Sequence, residues 1–201
     1  MEIRENGRQV RTCRAQFTTR DAGEAPVIEG YFVVFGDKYT IGPGMSESVA
    51  PEAFDDTLSG DIRALIDHDT RLVLGRTTAG TLSLEVRDKG LWGKIDVNPN
   101  DVDAMNLYAR VQRGDVNQCS FGFDILEEDT DIDPETGEVH WTIKKVKLYE
   151  VSVCTFPAYE ATTVSARQKD VEELKKRSLE VWKERTKERL RGGRTNGTCT
   201  A

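Results

Sequence analysis

Histidine is scarce in this chain, whose 201 residues include only His68 and His140. Any chemistry that needs an imidazole must run through one of them. Cysteine is thin as well: Cys13, Cys119, Cys154 and Cys199 form no CxxC pair and have no His-rich neighbourhood. That spacing argues against structural zinc and against a disulfide framework. No apolar run approaches the roughly 18 residues that cross a bilayer, and Met1–Arg14 is too charged for a signal peptide. The expected setting is the cytosol or an assembly built there, with no membrane partner.

Excess positive charge is also missing. The formal charge of −7 speaks against a general nucleic-acid binder. The imbalance is uneven, however, since Lys169–Arg194 carries ten Lys/Arg and six Asp/Glu, a local +4 that leaves −11 for everything else. An acidic body with a basic tail points to a separate partner for the tail. With 37% hydrophobic and 31% charged residues, the chain is long enough for one domain with a real core, plus polar tails. The expected division is an N-terminal arm over 1–26, a main domain over 27–167, and a charged helical tail with a flexible end over 168–201.

What is present is mostly strand. Val10–Phe17 reads as a first strand and Val27–Phe35 (VIEGYFVVF), rich in β-branched and aromatic residues, as a core strand. Gly36–Ser48, with Gly42–Pro43–Gly44, reads as a loop, and Pro51–Leu58 as one or two helical turns. Ile62–Ile66, Arg71–Arg76, Thr81–Val86 and Leu91–Val97 follow as short strands. Arg87–Gly90 is a hairpin turn in which Gly90 is free to take positive φ. Asn98 caps a helix that starts at Pro99, presents Val102, Met105, Leu107, Tyr108, Ala109 and Val111 on its apolar side, and ends at Gly114. An acidic turn over Glu127–Gly137 lacks the ordered ligand spacing of a calcium loop. Val139–Val153 is a long strand, with Leu148, Glu150, Ser152 and Cys154 on one face. Many short strands and few helices predict a β-rich α+β fold, a closed or nearly closed β-barrel with flanking helices, because closure removes exposed edges. From Gln168 the composition switches to that of a charged amphipathic helix outside the barrel.

The stretch Gln118–Asp124 (QCSFGFD) holds the candidate chemistry. Alternation puts Phe121, Phe123 and Ile125 on one face and Ser120, Gly122 and Asp124 on the other, so a small polar face backs an apolar one. A serine hydroxyl is a weak nucleophile near neutral pH, and imidazole, with an ordinary pKa of about 6.5, can take its proton. The ring then needs a partner on its second nitrogen. His68 lies between two aspartates after an apolar strand, whereas His140 reads as an exposed strand residue. Glu150, an acid on an otherwise apolar strand, is the candidate partner. Asp67 and Asp69 are rivals poorly angled to their neighbour's ring.

The order and spacing of GYFVVFG, His68–Asp69 with Leu74–Gly75–Arg76, Gly80–Thr81–Leu82, Gly90–Leu91, Ser120–Phe121–Gly122–Phe123, Leu148–Ser152 and Pro157–Ala158–Tyr159 resemble the prohead proteases of tailed bacteriophages over about Val27–Arg167. That family is similar in fold to the herpesvirus assemblins, β-barrel serine proteases. The resemblance implies Ser120 as nucleophile, His68 as base and Glu150 as third member, with no cofactor and no metal. It implies a capsid maturation protease that digests scaffold, or a scaffolding segment of the major capsid protein, inside the prohead, with self-cleavage and self-association as further expectations. Assemblins draw help for the oxyanion from an arginine in the loop after the third member. Thr155–Thr162 has none, which leaves Arg76 as a distant candidate. Two other readings stand beside this one: a non-enzymatic assembly factor that binds capsid protein and scaffold, and a metal-dependent hydrolase built on Asp67–His68–Asp69. Cys119, on the opposite face from Ser120, is the weaker nucleophile candidate.

Overall fold

Alternating apolar residues in the first half of the chain build a series of short strands, and the second half builds one long ribbon. The computed structural model describes residues 9–14, 17–20 and 26–156, with scattered positions between 170 and 187. Its strands are β1 (Gln9–Arg14), β2 (Thr18–Arg20), β3 (Val27–Val34), β4 (Tyr39–Gly42), β5 (Met45–Val49), β6 (Arg63–Ile66), β7 (Asp69–Arg76), β8 (Leu82–Arg87), β9 (Gly90–Asp96), β10 (Gln118–Ile132) and β11 (Val139–Cys154). The single α-helix among the described residues, α1 (Val102–Arg113), precedes β10. The chain divides into two units, Met1–Tyr159 and Glu160–Ala201. Half of the tail expected to be helical over 168–191 lies outside the described residues; the described positions, 170–174 among them, are helical.

The strands sort into a seven-stranded sheet, with path β1-β10-β11-β5-β4 and β6 and β7 attached beside β11, and a four-stranded sheet ordered β2-β3-β9-β8. No pairing closes the two into a barrel among the described residues, which corrects the expected closure. The free edges are managed by other means: β2 and β4 have only three and four residues, and β8 presents the charged pair Glu85 and Arg87 on its exposed side. Between the sheets lies the core. Phe121 stacks on Phe123 with ring centroids 4.7 Å apart and meets the edge of Phe54 at 6.1 Å. Phe32, Ile28, Leu91 and Ile95 come from the smaller sheet, and all are fully buried.

Other local expectations change for identifiable reasons. Gly36–Ser48 is not a loop: Pro43–Gly44 turns the chain between β4 and β5, with Gly44 at φ +67°. Pro51–Phe54 is a single 3-10 turn that buries Ala53 and Phe54. The cap of α1 is Asp101, whose Oδ1 accepts from the amides of Asp103 and Ala104 at 3.0 and 3.1 Å, while Asn98 closes its own tight turn on Asn100. Val102 is 73% exposed, and the buried face of the helix is Ala104, Leu107, Tyr108 and Val111. Gly114 ends it at φ +87°, as the pattern required. Gly90 is needed for space rather than for positive φ, because a Cβ there would run into the carbonyl of Val33. The acidic run after Ile125 continues β10 to Ile132, and the turn proper is Asp133–Gly137, where Asp133 Oδ1 accepts from two following amides.

Candidate active site

The antiparallel pair β10 and β11 sets the geometry. Ser120 stands opposite Ser152, Gly122 opposite Glu150 and Gln118 opposite Cys154. Directly opposed residues share a face, so Ser120, Gly122, Glu150, Ser152 and Cys154 lie on one side of the sheet, and Cys119, Phe121, Val151 and Val153 face the core. A register shift between Gly122 and Phe123 pairs Phe123 with Leu148 and leaves Tyr149 as an extra residue. This bulge moves Leu148 into the core, where it is buried, and separates it from Glu150, with which simple alternation would group it. Gly122 gives up its side-chain volume to the acid: a Cβ on it would overlap the Glu150 carboxylate, with Cγ and Cδ both at 3.1 Å.

His68 arrives from another element. β6 runs parallel to β11, with Ser152 opposite Leu65 and Val153 opposite Ile66. The turn from β6 to β7 consists of Asp67 and His68, at φ +46° and +62°. Positive φ at both central residues is the pattern of a type I′ hairpin, normally filled by Asn-Gly. For two side-chain-bearing residues it costs on the order of 1–3 kcal/mol each. The end of β11 holds the turn in place. The Asp67 amide donates to Val153 O at 3.1 Å, and the Asp67 carboxylate accepts from the amide and hydroxyl of Thr155 at 2.7 and 3.1 Å. Asp69 is engaged elsewhere, with Arg71 at 2.7 Å. The three consecutive residues Asp67–His68–Asp69 therefore diverge and do not share one ligand point.

Held this way, His68 leans over β11. Its Nδ1 lies 2.7 Å from Glu150 Oε1, and the Ser152 hydroxyl donates to the other carboxylate oxygen at 2.6 Å. Ser152 Oγ is also 3.4 Å from Nδ1. With Nδ1–H donating to the carboxylate, Nε2 is the basic nitrogen of the neutral ring. The atom facing Nε2 is Cys154 Sγ, at 3.8 Å. His68 is 26% exposed and Glu150 5%, so the acid is buried and its partner ring is partly open to solvent.

The structure thus brings His68 and Glu150 together and puts Ser120 on the same face, across one strand pairing. It does not bond Ser120 to His68. Ser120 is fully buried, and its hydroxyl donates to the backbone carbonyl of Arg11 on β1 at 2.8 Å. Arg76 pairs with Asp61 at 2.6 Å through two nitrogens, and Pro157–Tyr159 lie outside the described residues. His140 is half-buried rather than exposed, its nitrogens held by Ser46 and Ser48 at 2.8 and 2.9 Å. Cys119 Sγ points to the carbonyls of Tyr31 and Phe32. Sequence reasoning missed Ser152 as a partner of Glu150, although i, i+2 spacing on one strand face was signal enough. It also missed Asp67 as an anchor and Arg11 as a neighbour of Ser120. Among the described residues no three His, Cys, Asp or Glu side chains are placed to hold a metal ion, and no helix is long and apolar enough to cross a membrane.

Residues 14–177 match the family model of the caudovirus prohead serine proteases. The chain belongs to that family and is a protease of phage capsid maturation. It is 32% identical over 165 residues to the prohead protease of Enterobacteria phage HK97, a match covering 80% of this chain and 68% of that protein. The structure of the bacteriophage T4 capsid assembly protease is similar with a TM-score of 0.48 and 10% identity, covering 73% of this chain and 96% of that one.

Proposed function

We propose that Ser120 is the nucleophile of this protease, His68 its base and Glu150 the acid that orients the base. The observation that supports this most directly is the 2.7 Å bond between His68 Nδ1 and Glu150 Oε1 on the face that also carries Ser120. Rotation about χ1 turns the Ser120 hydroxyl from β1 toward the ring. His68 Nε2 takes its proton as Oγ attacks the scissile carbonyl, and the protonated ring gives that proton to the departing amine. Water then hydrolyses the acyl-enzyme with the same base. Glu150 holds the tautomer and offsets the charge on the imidazolium.

The substrates under this reading are scaffold protein or a scaffolding segment of the major capsid protein, cut inside the prohead, and the chain itself. Co-expression with the capsid and scaffold proteins of its own phage tests it. Wild type should yield shortened products by intact mass, and Ser120→Ala should yield none while still folding, its melting temperature lowered only by the loss of the bond to the Arg11 carbonyl. Continued processing by Ser120→Ala would place the nucleophile elsewhere.

One observation favours a second reading. Cys154 Sγ, not Ser120 Oγ, lies against Nε2 at 3.8 Å, as a thiol nucleophile would. Cys154→Ala separates the two, since it abolishes processing only if the thiol attacks.

A further inference from the structure

We propose that Arg63 and Arg76 form a substrate subsite that takes an acidic side chain on the departing-amine side of the scissile bond. This rests on the reading of Ser120 as nucleophile and His68 as base. Register places both arginines on the face of the sheet that carries Glu150. Arg63 of β6 stands opposite Glu150, and Arg76 of β7 stands opposite Arg63. The residues on either side of Arg63, Ile62 and Ala64, belong to the core, so alternation turns Arg63 the other way. One row across the sheet therefore reads Gly122, Glu150, Arg63, Arg76.

The row ends in spare positive charge. Two guanidinium groups share one carboxylate, that of Asp61: Arg76 reaches Oδ1 through Nε and Oδ2 through Nη2, each at 2.6 Å, and Arg63 reaches Oδ2 through Nη2 at 3.2 Å. Thr78 donates to Oδ1 at 3.1 Å. The bonds from Arg76 first of all hold the Asp61 carboxyl far below the usual carboxylate range, so it is ionised. The cluster still keeps one net positive charge, in a chain that carries −11 outside Lys169–Arg194. Among the described residues, these bonds leave Nε and Nη1 of Arg63 and Nη1 of Arg76 to donate elsewhere. Both side chains are nearly half exposed, at 43% and 45%. Guanidinium groups fixed in this way and open to solvent are suited to a second carboxylate, brought by a substrate.

The position of His68 decides which part of the substrate arrives there. The ring hands its proton to the departing amine, so the segment after the cut leaves from beside the ring. His68 leans over β11; Ser120 on β10 lies to one side of that strand, and β6 and β7 lie to the other. At about 4.8 Å per strand, Arg63 and Arg76 stand two and three strands from β10, roughly 10 and 14 Å. An extended peptide rising about 3.3 Å per residue covers that span in about three or four residues. Asp or Glu at that point of the substrate meets the cluster, whereas Lys or Arg there is repelled, and the difference between the two is selectivity.

The test is a double-mutant cycle on processing, with the capsid and scaffold proteins of its own phage co-expressed and the cut sites mapped by intact mass. In the substrate, the acid about three or four residues after the cut is changed to Gln. In the enzyme, Arg63→Gln is combined with Arg76→Gln. We expect either change to slow processing about tenfold or more, and the two together to cost no more than one of them. Lys in place of the acid should be cut more slowly still by wild type, and should be partly rescued by Arg63→Glu. Should the enzyme variants fail to fold, the rates of wild type on the acid, Gln and Lys substrates carry the test. Cut sites with no acid at that distance, equal rates on the three substrates, or losses that multiply would overturn the subsite and leave the nucleophile standing. Processing that survives Ser120→Ala would overturn the nucleophile itself.

Discussion

Gly122 and Glu150 face each other across the β10–β11 ribbon, and the carboxylate lies in the space a side chain on Gly122 would need. Two further groups pin that carboxylate, His68 on one oxygen and Ser152 on the other. It cannot move aside without losing at least one of them. Gly122→Ala should therefore push Glu150 off His68 while leaving the core intact. A displacement of about 1 Å in such a contact costs on the order of 10²-fold in rate. Steady-state cleavage, with circular dichroism to show an unchanged fold, checks this.

Ser152 and Glu150 give a graded comparison. Ser152→Ala removes one bond to a buried carboxylate, a loss of about 1.5–3 kcal/mol where the acceptor is charged, and should lower both stability and turnover. Ser152→Thr keeps the hydroxyl and should recover much of the turnover. If neither variant alters cleavage, Ser152 does not position the acid.

The Asp67–His68 turn is strained and tied down by Thr155. Asp67→Ala removes the tie while leaving the φ demand, and urea unfolding should show a loss of about 1–3 kcal/mol. Asp67→Asn, which retains one acceptor and is at ease at positive φ, should lose less. An Ala variant as stable as wild type would show that the turn needs no anchor.

His140 makes a pH prediction. Burial first, and the positive charge of Lys38 next, hold its pKa below the ordinary value, against smaller opposing effects from Asp131 and Glu47. The unfolded chain therefore binds a proton here more readily than the folded one. The contribution to stability is complete above the unfolded pKa of about 6.5 and is lost as pH falls through it toward the folded value. Melting temperatures at about pH 7.5 and about pH 5.5 should fall less steeply in His140→Gln than in wild type. Equal slopes would remove His140 from the account.

In the core, Phe121→Ala takes away a ring stacked on Phe123 and edge-on to Phe54. It should cost about 3–5 kcal/mol. Because the change lies on the opposite face from Ser120, whatever protein remains folded should cleave at close to the wild-type rate per folded molecule.

Much of this was legible in the residues. Two histidines made His68 easy to single out, and Glu150 stood out as an acid among Leu148, Tyr149, Val151 and Val153. The strand alternation around Phe121 and Phe123 held because nothing interrupts it. It failed at Leu148, since a bulge adds a residue and local pattern carries no mark of it. The Pro43–Gly44 hairpin reads as a loop in the sequence because glycine and proline signal both, and the pairing of β4 with β5 and the burial of Met45 and Val49 decide. The expected barrel rested on a general rule about edges, which short and charged strands satisfy equally well. The position of β1 was out of reach for a different reason: Arg11 and Ser120 are 109 residues apart, and no local pattern pairs strands at that separation.

One ribbon carries Ser120 near its base and the Asp133–Gly137 turn at its far end, twelve and more residues along β10. At about 3.3 Å per residue, that is roughly 40 Å of strand. A fluorophore or affinity handle attached at the exposed Glu135 would travel with the hairpin that carries Ser120 and Glu150 without entering its register. That gives a place from which the enzyme can be followed into a closing shell while its chemistry is left alone.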